Sequence, residues 1–360
     1  MRFLHTADWH LGKTLKNAPL IDEQNYILNG DFLKLIDDEK IHVVIIAGDI
    51  YDRAIPPIDA VNLFDEIICK LCEKNIFVLA ISGNHDSGAR LNFGSRLMKK
   101  ANFFISGKFD ENPKPIILSD NFGEIYFSLI PFILANDEIK NYITRARQNI
   151  PANVRSVAVA HLFTVGGIIS ESERKFLGGV ENIPTENFSA YNYTALGHLH
   201  KPQTMKKTDY IVRYSGSPLK YSFDEANHDK GVTIVDIGAN NLEFEHIKLT
   251  PRRDVRVITN TLEKIKNLPK TDDYIHANLT DKKYFLNALD TLRENMPNIL
   301  SLKFTAIEEA AENSVTKKFQ EGGDILGQFK DFFESKSGEE FNSEYQYAMQ
   351  NFLKDFDVEI

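Results

Sequence analysis

Val43-Val44-Ile45-Ile46-Ala47-Gly48-Asp49-Ile50-Tyr51-Asp52 is an apolar, partly β-branched run that stops at a glycine followed by a carboxylate. A run of this length reads as a strand buried on both faces, with its first polar residue presented at the strand end. Four more segments repeat the pattern: residues 3–7 stop at Asp8, 77–83 at Asn84 and His85, 157–160 at His161, and 194–197 at His198. The stretches between them suit helices; Tyr26-Ile27-Leu28, Phe32-Leu33 and Leu35-Ile36 recur at helical spacing. Such alternation predicts an α/β sheet, in which ligands bind beyond the carboxyl ends of the strands.

The chain has 360 residues, enough for two or three domains at roughly 100–200 residues each. Its 42 Lys and Arg against 51 Asp and Glu argue against a wholly basic nucleic-acid coat or a polybasic membrane binder. A hydrophobic content of 42% with 11% aromatics excludes global disorder. Met1-Arg2-Phe3-Leu4-His5 lacks the apolar region of a signal peptide, and no later segment reaches about 18 apolar residues. A soluble, cytoplasmic, nucleoid-associated protein is expected. Cys69 and Cys72 fall in a helical pattern without a second ligand pair, and are expected as buried free thiols.

From about residue 210 closely spaced strands (210–214, 231–236, 242–249) read as the β-rich end of a first domain spanning 1–250. A second domain, 251–305, has its own β-α-β pattern, with Phe285, Leu289, Leu292 and Met296 on one helical stripe that stops at Pro297. Residues 306–323 suit a linker. Residues 324–360 hold two amphipathic stripes, Leu326, Phe329 and Phe333, then Tyr345, Met349, Phe352 and Phe356, too short to stand without a partner surface. Residues 306–360 contain 5 Lys against 13 Asp and Glu, so nearly all of the net charge of −9 lies there and the body is close to neutral.

The five strand ends supply Asp8-x-His10, Gly48-Asp49-x-x-Asp52, Gly83-Asn84-His85-Asp86, His161, and Gly197-His198-x-His200. Singly each is commonplace. Together they form a nitrogen and oxygen donor set without thiolate, suited to manganese, iron or zinc more than to calcium or copper. Seven donors are too many for one tetrahedral site and right for two metals sharing a bridging carboxylate.

The order of these blocks resembles the calcineurin-like metallophosphoesterase superfamily, whose D-x-H, G-D-x-x-D, G-N-H, H and G-H-x-H blocks are all met. Within it, 5–12 (His-Thr-Ala-Asp-Trp-His-Leu-Gly), 83–87 (Gly-Asn-His-Asp-Ser) and the small domain that follows are similar to the SbcD nuclease family of double-strand-break repair. The resemblance implies a β-sandwich flanked by helices, a small α/β capping domain and a C-terminal helical tail. It also implies that Asp8, His10 and His200 hold one metal and Asn84, His161 and His198 the other, with Asp49 bridging. His85 would stabilise the transition state and protonate the leaving oxygen. Asp52 would orient that imidazole, and Arg53 is a candidate phosphate clamp. The expected cofactor is a pair of divalent ions, most often Mn²⁺. The expected substrate is double-stranded and hairpin DNA, cut exonucleolytically on duplexes and endonucleolytically on hairpins or single strands. Residues 324–360 would dock an SbcC-type coiled-coil ATPase, and a homodimer within a heterotetramer is implied; core packing explains the stripe of Ile58, Val61, Leu63, Phe64 and Ile67 as well as a dimer face does.

Trp9, between two of the donors, could stack on a base, but is expected rather to pack beneath the metals, and His5, His42, His228, His246 and His276 are expected to be structural or surface residues. Arg252, Arg253 and Arg256 head the basic residues expected to contact the DNA backbone, with Lys99-Lys100, Arg145/Arg147, Arg174-Lys175 and Lys206-Lys207 as further pairs. Two other readings are a small-molecule or cyclic-nucleotide phosphodiesterase of the same superfamily, and a non-enzymatic DNA-tethering scaffold. The cap and tail, superfluous for a small substrate, favour the nuclease over the former; intact donor blocks count against the latter.

Overall fold

The computed structural model describes residues 1–133, 136–173, 183–307 and 340–354, with the short pairs 326–327, 329–330 and 333–334. The chain divides into two compact units: Met1–Val257 with Asp272–His276, and Ile258–Thr271 with Ala277–Ile360.

The first unit carries two six-stranded sheets. One runs in the order Leu242–Lys248, Gly231–Ile237, Arg2–Thr6 (β1), Val43–Ala47 (β2), Phe77–Ile81 (β3) and Phe103–Ser106. The other runs Gln203–Lys207, Ile211–Tyr214, Tyr193–Gly197 (β5), Arg155–His161 (β4), Gly123–Ile130 and Ile116–Asp120. β1, β2 and β3 pair in parallel, as do β4 and β5, so their carboxyl ends fall together within each sheet. The architecture is mixed α/β, as expected; the five strands are shared between two sheets, which agrees with the sandwich that the family resemblance implies rather than with the one sheet that the alternation by itself suggests.

Alternate residues explain the sandwich. Phe3, Val43, Ile45, Leu79 and Ile81 of the first sheet and Phe127, Val157, Val159, Tyr193 and Ala195 of the second form one buried cluster. The Phe3 ring sits edge-on to Phe127 and Tyr193, at 6.2 and 5.6 Å between centroids. The intervening residues, such as Val44 and Ile46, are equally buried. Both faces of these strands are therefore covered, which is why their sequences read as continuous apolar runs. On the second sheet the outer cover includes Ile139, Tyr142 and Ile143 of the helix Asn136–Gln148, packed with Ala158, Ala160 and Leu196.

The helix Ile58–Glu73 begins behind Pro57 and buries Leu63, Phe64 and Ile67, whereas Ile58 and Val61 are exposed. Its thiols correct an expectation: Cys69 is exposed and Cys72 intermediate, because both fall off the stripe that Leu63, Ile67 and Leu71 define. Trp9 is fully buried, donates from Nε1 to Thr6 Oγ1 at 2.9 Å and packs edge-on against Phe32 and Phe64. It is a packing residue and presents no face for stacking.

A separate three-stranded sheet has the order Val255–Asn260, Tyr274–Leu279, Ile299–Phe304, accompanied by the helices Leu262–Lys266 and Ala288–Arg293. Leu292 and Met296 of the expected stripe are buried there. A helix spans Ser343–Lys354, and the rings of Phe329, Phe333, Phe341 and Tyr345 cluster with centroids 4.7 to 6.4 Å apart. The expected linker beyond residue 307, Arg174, Lys175, Phe356 and the side chain of Phe352 lie outside the described residues. Among the described residues no helix is long and apolar enough to cross a membrane.

Candidate metal centre

The loops leaving β1 and β2 are laced together by their main chains. Asp8 N–H donates to Gly48 O and His10 N–H to Asp49 O, both at 3.0 Å. Asp8, His10, Asp49 and His198 all have positive φ, at 54°, 45°, 50° and 105°. Four non-glycine residues in a region that L side chains rarely occupy, all at strand ends, mark backbone held under strain by its surroundings. Gly48, at φ +88°, has no room for a side chain unless its neighbours move: a Cβ there would lie 2.4 Å from His161 Nδ1.

All seven expected donors converge. His10 Nε2 and His200 Nε2 approach to 3.1 Å. His161 Nε2 and His198 Nδ1 each lie 2.9 Å from Asn84 Oδ1. Asp49 stands between the two groups. Its Oδ1 accepts the His85 main-chain N–H at 2.8 Å, and its Oδ2 lies 3.5 Å from both His10 Nε2 and His161 Nε2. One carboxylate oxygen is thus equidistant from an imidazole of each group, the placement a bridging ligand needs. Asp8 accepts the His198 main-chain N–H on both oxygens, at 2.9 and 3.1 Å, and groups with His10 and His200 on one side and with Asp49 and His161 on the other.

The donors fit a pair of divalent cations. Ring nitrogens and side-chain oxygens that can each offer a lone pair face one another at close range across the centre. Burial holds His10 down to about 4 and His198 to about 3, and lowers His200 as well, so these rings are neutral and ligand-ready at neutral pH. Burial opposes ionisation of Asp49, but the neighbouring His161, with His10 and His85, outweighs it and keeps that carboxyl well below its usual range. Burial also pulls His161 down, yet Asp49 and then Asp8 carry it up to about 9, which makes it the ring whose proton a cation must displace. The ring is aligned for this, since Nδ1 donates to Ala47 O at 2.9 Å and leaves Nε2 to face the centre.

His85 is 6% exposed, sits edge-on to His10 at 4.6 Å, and donates from Nδ1 to the main-chain oxygen of Asp52 at 2.8 Å. The Asp52 carboxylate accepts from Lys13 Nζ at 2.8 Å, lies 3.6 Å from His10 Nδ1 and is within 4.8 Å of a His85 ring nitrogen. Burial pushes its pKa up, but the His10 and Lys13 contacts prevail and bring it to about 2. Arg53 is exposed, with Nε 3.8 Å from Asp52 Oδ2. Arg252 and Arg253 are both held by the buried Glu23 carboxylate at 2.8 Å, and Arg256 by Asp273 at 3.1 Å. Arg147 donates to Ala190 O and Ile150 O, Arg145 lies over the Phe109 ring, and Lys206 and Lys207 lie over Tyr210 and Phe244.

Sequence reasoning missed several supports. Asp86 accepts main-chain N–H groups from Ile50, Tyr51 and Gly83 at 2.9 to 3.1 Å, tying the loop after β2 to the loop after β3. Gln24 donates to Trp9 O and His10 O at 3.0 and 2.8 Å. Ser172, Glu173, Glu225 and Lys230 surround His200. Only Asp86 carried a signal, its adjacency to Asn84-His85.

The calcineurin-like phosphoesterase family matches residues 1–235. The SbcD component of the nuclease SbcCD from Staphylococcus epidermidis is 33% identical over 91% of this chain and 92% of its own length. The protein of the same name from Staphylococcus saprophyticus is 32% identical over 84% of each. A solved "novel archaeal phosphodiesterase" aligns with 69% of this chain and all of its own at 15% identity and a TM-score of 0.33, too loose to carry an argument about the site.

Proposed function

Because this chain belongs to the calcineurin-like phosphoesterase family and, within it, to the SbcD branch, we propose that it is the Mn²⁺-dependent nuclease component of an SbcCD-type DNA repair complex. In this reading it acts exonucleolytically on double-stranded DNA and endonucleolytically on hairpins or single strands. The observation that carries the reading is Asp49 Oδ2, 3.5 Å from a ring nitrogen of each donor group. Asp8, His10 and His200 would hold one ion and Asn84, His161 and His198 the other. When bound, such a pair clamps phosphate oxygens and supplies a nucleophile at neutral pH.

The chain's own residues do the rest. His85 in its imidazolium form, its Nδ1 proton committed to the Asp52 carbonyl, directs Nε2–H to the phosphoester, where it stabilises the developing charge and passes the Nε2 proton to the leaving oxygen, leaving the ring neutral. Asp52 places two rings, His85 through its carbonyl and His10 through its carboxylate. Arg53, exposed at the rim, reaches for a neighbouring phosphate. Arg252, Arg253 and Arg256 are already paired within the chain, so they would contribute to a DNA path only with charge left over from those pairs. The three-stranded unit would cap the nuclease face. The acidic, phenylalanine-rich tail would dock an SbcC-type coiled-coil ATPase, with two copies of each protein assembled as a heterotetramer.

The test is cleavage of labelled duplex and hairpin DNA with Mn²⁺ or Mg²⁺, with and without the ATPase partner and ATP, by the parental chain and by His85→Ala. The variant should lose about 10²–10⁴-fold in rate while binding two Mn²⁺. Parental activity on cyclic nucleotides and none on DNA would move the assignment to a small-molecule phosphodiesterase.

A further inference from the structure

Behind His200 lies a buried ionic cluster that the reaction above does not use. Glu225 is 0% and Lys230 4% exposed, and the two are ion-paired. Glu225 Oε1 accepts the Ser172 hydroxyl, accepts the Ser222 hydroxyl at 2.9 Å, and lies 3.3 Å from His200 Nδ1. Its Oε2 accepts the Tyr221 main-chain N–H at 3.3 Å. Ser172 Oγ is 2.7 Å from His200 Nδ1. Lys230 Nζ donates to His200 O at 2.7 Å and to Ser217 Oγ at 2.9 Å, and Glu173 Oε1 accepts the His200 main-chain N–H at 2.6 Å. The ring and both main-chain polar atoms of one residue are therefore held by side chains from three stretches of sequence.

A buried ion pair is weak evidence of stabilisation, because a well-packed apolar pair of similar volume often does as well. The placement of this one gives it another use. With Ser172 donating its hydroxyl hydrogen to Glu225, its oxygen is free to accept from His200 Nδ1–H, and the proton on Nδ1 leaves Nε2 with its lone pair toward His10. If the carboxylate is removed, the neutral ring loses the interaction that selects this tautomer. We propose that Glu225, seated by Lys230 and acting through Ser172, is a positioning residue that sets the cation affinity of the Asp8, His10 and His200 group without affecting the Asn84, His161 and His198 group. This rests on the two-cation reading above and adds to it a residue dedicated to one of the two sites.

The experiment is a Mn²⁺ titration of the full chain followed by calorimetry and by electron paramagnetic resonance of bound Mn²⁺. Glu225→Gln, Glu225→Asp and Ser172→Ala are compared with the parent, and each protein is also melted in chelator. Glu225→Gln should weaken one site about 10–100-fold and leave the other at parental affinity. Glu225→Asp should recover part of that loss. Ser172→Ala, at a half-buried position, should weaken the same site by a smaller factor and keeps the test open if Glu225→Gln fails to fold. Two sites of parental affinity in every folded variant, or equal weakening of both, would overturn the positioning role. A parental chain that binds fewer than two Mn²⁺ would instead overturn the two-cation reading on which it rests.

Discussion

His161 is aligned by the carbonyl of Ala47, whereas His200 is aligned by Ser172, Glu225, Lys230 and Glu173. In the first group His161 is set by main chain: a strand-end carbonyl aligns its ring, and the missing Cβ of Gly48 makes room for it. In the second, His200 is set by side chains from distant parts of the sequence. Main-chain support cannot be removed by a point substitution without moving the strand, but side-chain support can. The hold on His161 should therefore fail all at once, and that on His200 by degrees.

Asp49 belongs to both groups, so Asp49→Ala is the substitution that should erase the contrast. Hydrolysis is expected to fall on the order of 10³–10⁴-fold, with neither cation held tightly, as read by rate and Mn²⁺ stoichiometry together. Retention of one tight site would mean that the carboxylate serves one group only. Gly48→Ala bears first on His161. The new Cβ must displace the His161 ring or the strand, and a displacement of about 1 Å is expected to cost about 10²-fold in rate. A fully active Gly48→Ala protein would show that His161 is not held where the geometry places it. A further effect is on stability: chelation should lower the melting temperature of the parent, and Mn²⁺ at about 100 times its dissociation constant should return about 2.7 kcal/mol. If Glu225→Gln responds to the ion as fully as the parent does, the side-chain group contributes nothing to holding it.

The contrast also explains what could be read from sequence. Asp8, Asp49, Asn84, His161 and His198 each follow an apolar run, so the strand that buries them also announces them. Their convergence is legible because parallel strands bring their carboxyl ends together; that the strands divide between two sheets is not, because β2 and β4 read alike as apolar runs. Glu225 and Lys230 stand among other charged residues of a short loop, and no spacing relates them to His200. The thiols show the limit of a helical stripe. The pattern across Leu63, Ile67 and Leu71 predicts the helix correctly, but a residue one or two positions off the stripe can turn outward, as Cys69 does. Arg252 and Arg253 look like free cations in sequence, and their partner, Glu23, lies 229 and 230 residues away.

The most direct measurement is anomalous diffraction at the manganese edge from crystals of the full chain soaked in Mn²⁺. Two peaks are expected, one among Asp8, His10 and His200 and the other among Asn84, His161 and His198, with Asp49 touching both. A single peak, or two peaks without Asp49 between them, would refute the shared two-cation centre.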